Sequence, residues 1–137
     1  MKTSNFILQR VRFMPDKLEP DVLYVSEEFR TAAHLCACGC GAKIRTPLGP
    51  TEWTFIDTER GPTLSPSIGN WQQVCQSHYV IEAGHVIWAG KWSQEQIIGG
   101  RRQEEKRRRA YYDALYSPGI LQRIWRWLKS LFRRWNT

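Results

Sequence analysis

The chain has 137 residues, 42% of them apolar, and four cysteines; that suits one small domain with a core plus an appendage, and excludes two independent domains. Its net charge of +7 is lopsided: residues 1–100 hold 9 Lys and Arg against 10 Asp and Glu, net −1, whereas residues 101–137 hold 11 against 3, net +8. A nucleic-acid-binding body is basic over its own surface, so the charge of this one argues against a nucleic-acid partner.

In chain order, "MKTSNFILQRVRF" has a lysine without the apolar run of a secretory signal, and no stretch is apolar for long enough to span a bilayer. The expected address is the cytoplasm, where thiols stay reduced and clustered cysteines serve metals or catalysis rather than disulfides. From "VLYVSEEF" (22–29) onward the pattern is short and strand-like: "AAHLC", "KIRTPL", "WTFIDT" and "QVCQSHYVIEAGHVIWAG" are punctuated by Gly, Pro, Asn and Asp. The clearest hairpin joins "HYVIE" to "HVIWA" through Ala83-Gly84, with β-branched and aromatic residues in both arms. Residues 20–90 therefore read as a compact, mostly antiparallel β unit.

At residue 94 the regime changes. "SQEQIIGGRRQEEKRRRAYYDALY" opens with a serine cap and continues in good helix formers, and "SPG" (117–119) breaks it. In "ILQRIWRWLKSLFRRW", Leu121, Ile124, Trp125, Leu128, Leu131, Phe132 and Trp135 share one helical face, and Arg123, Arg126, Lys129, Arg133 and Arg134 the other. The expected class is α+β: a mostly antiparallel β domain over 1–93, clamped by a zinc site, then a basic helical extension over 94–137. The last helix can pack on the body or a partner, lie on an anionic membrane through residues 120–135, or meet nucleic acid, since basic charge alone does not discriminate.

Cys36, Cys38 and Cys40 in "HLCACGCG", with Cys75 and His78 in "CQSHY", supply five soft or borderline ligands, enough for one tetrahedral zinc. In an extended strand Cys36 and Cys40 would lie about 13 Å apart, too far to share an ion. Gly39 and Gly41 let the chain turn and wrap the thiols instead. Two ligand sets are open. Four cysteines make a closed, structural site and free His78 for other work; if a cysteine is not a ligand, a Cys/Cys/Cys/His or a Cys/Cys/His set arises, and the three-ligand version leaves an open position for an activated water. "GPTLSPSIGNW" (61–71) places Ser65 and Ser67 around a proline ahead of a Gly-Asn turn. Either serine becomes a nucleophile only if a base such as His78 or His34 takes its proton; otherwise both are turn residues bonding local backbone. Glu52 and Glu82 are further candidate bases, and His85 reads as a strand-surface residue.

The order "CACGCG", "TEWTF", "TLSPSIGNW", "CQSHYVIEAGHVIWAG" resembles, over residues 20–90, a family of small bacterial domains of unknown function encoded beside ubiquitin-like conjugation genes in antiphage operons. The resemblance implies a zinc-binding peptidase that trims a ubiquitin-like protein or removes it from its conjugates, with conjugation enzymes as further partners. It carries Cys36, Cys38, Cys40, Cys75 and His78 to the metal region and Ser65 and Ser67 to the turn. Neither HExxH nor a JAB-type layout is present, so a metallopeptidase here would be of an uncommon kind. The competing class is a zinc-stabilised adaptor that binds conjugation proteins or the membrane without turnover.

Overall fold

A computed structural model describes residues 1–116 and 119–135, the side chains of Arg134 and Trp135 lying outside the description. Eight strands precede two helices: β1 (Ile7–Arg10), β2 (Val22–Ser26), β3 (Thr31–Leu35), β4 (Lys43–Pro47), β5 (Thr54–Thr58), β6 (Gly61–Gly69), β7 (His78–Glu82), β8 (His85–Trp88), α1 (Gln94–Tyr116) and α2 (Ile120–Trp135). The strands form two four-stranded sheets in sequence order, β1–β4 and β5–β8. All pairings are antiparallel except β1 with β2. That strand lies ahead of the β unit expected from the sequence, because "ILQR" alone offers too little apolar alternation to be read as a strand.

Both sheets feed one core. Leu23, Val25, Ala32 and Ile44 from the first pack with Leu64, Ile68, Tyr79 and Ile81 from the second, around Phe6 and Cys36. Leu64, Tyr79 and Ile81 are fully buried. The alternation of buried and accessible residues along β6 explains why 61–71, expected as a turn, is mostly strand: Leu64 and Ile68 must both reach the core. Pro66 is tolerated there because the β6–β7 register slips between Leu64 and Ile68, removing the ladder bond a proline cannot make. The turn comes later, at Asn70–Gln76. The β7–β8 hairpin forms as expected, with Ala83 and Gly84 both at positive φ as a tight two-residue turn requires.

Contacts divide the chain into Met1–Gly100 and Arg101–Thr137. The start of α1 belongs with the β body: Ser93 Oγ accepts from Gln96 N while Gln96 Oε1 accepts from Ser93 N, a reciprocal cap, and Ile97 is buried. Of the "SPG" expected to break the helices, Ser117 and Pro118 lie outside the described residues; α2 opens directly after Gly119. Every described apolar side chain of α2 from Ile120 to Phe132 is exposed.

Candidate active site and metal centre

The three clustered cysteines lie in the loop between β3 and β4. Cys36 N bonds Ala42 O at 2.8 Å, and Gly39 N bonds Cys36 O at 3.0 Å, so the chain reverses within six residues. Gly39 and Gly41 sit at φ of 86° and 82°, and a Cβ on Gly39 would fall 2.5 Å from the Met1 carbonyl oxygen. Glycine is required there twice over. The loop is met by Cys75, from the segment before β7, and the four sulfurs lie within 4.8 Å of one another.

Their spacing identifies what they can do. Cys36–Cys38 is 3.4 Å, Cys36–Cys75 3.8 Å and Cys40–Cys75 3.8 Å. Zinc–sulfur bonds of about 2.3 Å at tetrahedral angles put sulfurs ~3.8 Å apart, whereas a disulfide needs ~2.05 Å. The four cysteines are free thiols placed as a metal-binding set. Burial pushes the Cys38 thiol up to about 12. At Cys75 burial also raises, but hydrogen bonds from the Ser77 hydroxyl and backbone and from Cys38 and Cys40 outweigh it and bring the thiol down to about 7. The four sulfurs lie close enough together for one divalent cation to bind them all as thiolates. Asn70 and Ser77 support this group from the side: Asn70 Nδ2 donates to Cys36 Sγ at 3.4 Å and to Ser77 Oγ at 2.9 Å, and Ser77 Oγ lies 3.0 Å from Cys36 Sγ.

His78 stands outside the thiol group. Its Nε2 is 2.8 Å from Ser67 Oγ and its Nδ1 is 2.7 Å from the Gly90 carbonyl oxygen. The carbonyl can only accept, so Nδ1 carries the proton and the Nε2 lone pair accepts from the Ser67 hydroxyl. That is the tautomer a general base needs. The irregular register of β6 delivers Ser67 to the ring: Gly69 pairs with His78 and Ile68 with Tyr79, and Ser67 lies within the slipped stretch just before them. Ser65, by contrast, pairs with Thr54 of β5 and makes no hydrogen bond to the histidine.

Two indoles flank the imidazole. Trp71 and Trp92 have ring centroids 5.0 and 5.3 Å from that of His78 and stack on each other at 5.6 Å. His78 is only 6% exposed. A Cβ on Gly69 would lie 2.4 Å from Trp71 Nε1, so only glycine lets that indole close over the site. Of the other candidates, His34 is fully buried with its Nε2 2.7 Å from Tyr79 Oη. Glu82 and His85 are exposed at the facing ends of β7 and β8, and Glu52 lies in the Gly49–Trp53 turn.

Sequence reasoning did not single out Asn70, Trp71, Ser77, Gly90 or Trp92. Four of them stood inside strings already marked, Asn70 and Trp71 in "SPSIGNW" and Ser77 and Gly90 in "CQSHYVIEAGHVIWAG"; but a backbone carbonyl such as that of Gly90 leaves no trace in residue types. Residues 10–89 match a family model described as "Bacterial ubiquitination-like system serine protease (BubE)". No curated protein and no solved structure matches the chain.

Proposed function

The chain belongs to the family of serine proteases of bacterial ubiquitination-like systems, and from that premise we propose that it cleaves the bond following the C-terminus of a ubiquitin-like protein, either to mature it or to release it from conjugates. The observation that carries the reading is the Ser67–His78–Gly90 hydrogen-bond relay. Ser67 Oγ attacks the scissile carbonyl as its proton passes to His78 Nε2. The imidazolium so formed is held in place by the Gly90 carbonyl, which accepts from Nδ1–H. His78 then returns the proton to the leaving amine, and the C–N bond breaks to leave an acyl ester on Ser67. A water deprotonated by His78 attacks that ester, and the proton goes back to Ser67 as the acid product departs.

The third member of the relay is an uncharged carbonyl, so it fixes the ring's tautomer and orientation without adding a charge. The flanking indoles keep bulk water from His78 and shape the approach to Ser67. Ser65, two residues back on β6, is left to the β5 ladder.

In this reading Cys36, Cys38, Cys40 and Cys75 hold zinc. Four thiolates fill a tetrahedral shell, so the ion supplies a cross-link between the β3–β4 loop and the segment leading into β7. That cross-link keeps Ser77 and Asn70 in place, and with them the neighbouring His78 and Gly69. Catalysis is assigned to residues 1–93 and docking to the basic extension, 94–137. The reading sets the protein in the cytoplasm, among the conjugation enzymes of an antiphage system.

The test is a fusion of a ubiquitin-like protein from a ubiquitination-like operon, joined through its C-terminus to a reporter. Cleavage at the junction by the wild type, lost in Ser67→Ala at full zinc occupancy, supports the reading. Tight binding with no cleavage at any enzyme concentration makes the protein an adaptor and overturns it.

A further inference from the structure

The stretch C-terminal to the family match ends in a helix with a face of its own. At 3.6 residues per turn, Leu121, Ile124, Trp125, Leu128, Leu131 and Phe132 of α2 fall within an arc of about 120°. All six are exposed, Leu121 and Phe132 at 76% each. Arg123, Arg126, Lys129 and Arg133 lie on the remaining arc, and α2 contains no Asp or Glu. Trp127, 61% exposed, falls at the boundary between the two arcs.

We propose that α2 lies flat on an anionic lipid bilayer and carries the protein to that surface. A buried packing helix has no use for so uniform a ring of cations, and an electrostatic nucleic-acid contact has no use for six exposed apolar side chains. A bilayer interface satisfies both: the apolar arc enters the acyl boundary, the cations meet lipid phosphates, and the boundary indole sits at headgroup depth. Charge complementarity selects anionic lipid, because each basic residue near such a surface adds several-fold to the partition. No helix among the described residues is long and apolar enough to cross a membrane, which fits a helix that rests on one.

The inference does not depend on the proposed protease activity, and its test reads lipid rather than turnover. Full-length protein is sedimented with vesicles of phosphatidylcholine alone and of phosphatidylcholine with an equal part of phosphatidylglycerol. The expected result is at least tenfold stronger binding to the anionic vesicles, weakened by 0.5 M salt and accompanied by a blue shift of tryptophan emission. Ile124→Asp with Leu128→Asp should abolish binding to both vesicles. Arg123→Glu with Arg126→Glu should reduce the anionic binding at least tenfold while leaving the helical circular dichroism in place. Equal binding to both vesicles, or none, overturns the proposal. So does binding to an RNA or DNA oligonucleotide that survives the apolar-face variant without any vesicle binding, or a dimer in solution that the same variant dissolves while vesicles are ignored.

Discussion

Two polar clusters flank the β6–β7 turn, and they differ in what they leave free. The four thiols point at one another: each sulfur is within 4.8 Å of the rest, and Asn70 and Ser77 brace Cys36 from outside. At Ser67–His78 both ring nitrogens are committed, to Ser67 Oγ and to the Gly90 carbonyl, but the serine oxygen keeps lone pairs for a substrate. A cluster that satisfies itself is suited to holding structure; one that ends in an unspent nucleophile is suited to chemistry. The two are three residues apart at their nearest, Cys75 to His78, so one can position the other without sharing its work.

The sharpest way to break this division is at the serine. Ser67→Ala and His78→Ala should each lower the cleavage rate by about 10⁴-fold or more, with zinc content unchanged in both and the thermal midpoint unchanged in Ser67→Ala, as metal analysis and calorimetry will read. If His78→Ala instead empties the metal site, the histidine belongs with the thiols and the division fails. On the other side, Cys36→Ser or chelation should destabilise the β body by more than ~3 kcal/mol, because the metal's binding free energy is folding free energy where no site exists in the unfolded chain. Urea unfolding with and without chelator measures it, and cleavage should fall in step with the folded fraction.

A second histidine sharpens the contrast. Burial of His34 lowers its pKa to about 3 from an ordinary 6.5. Between those values the unfolded chain binds a proton that the folded one does not, so stability is whole above pH 6.5 and falls as pH drops, by ~1.4 kcal/mol per unit. His34→Gln cannot titrate; between pH 7 and 5 it should lose about 2 kcal/mol less than the wild type in urea unfolding. The smallest effect is expected at Asn70→Ala, which removes one hydrogen bond to the Cys36 sulfur: about tenfold weaker metal retention against a competing chelator and ~1 kcal/mol of stability.

Much of this was legible in the sequence because it is written in residue types. The β7–β8 hairpin follows from the β-branched and aromatic residues on either side of Ala83-Gly84, the thiol group from cysteine spacing broken by Gly39 and Gly41, and α2 from its apolar period. What could not be read depended on position in space. Nothing in "GPTLSPSIG" says that a strand will run through two prolines, since that rests on a register slip against β7. Whether His78 would join the thiols three residues away or the serine eleven residues away is a matter of which side of β7 it leaves from. The Gly90 carbonyl that selects between the two ring tautomers is invisible to any reading of side chains, and β1, paired parallel to β2 at a sheet edge, carries too little pattern to announce itself.

The measurement that tests the central claim most directly is reaction of the zinc-loaded full-length protein with a fluorophosphonate, followed by intact and peptide mass spectrometry. An activated serine displaces fluoride and keeps the phosphonyl group. The account predicts one adduct per chain, on Ser67, absent in His78→Ala although zinc is retained. An adduct elsewhere, or none on a fully metallated and folded protein, would contradict it.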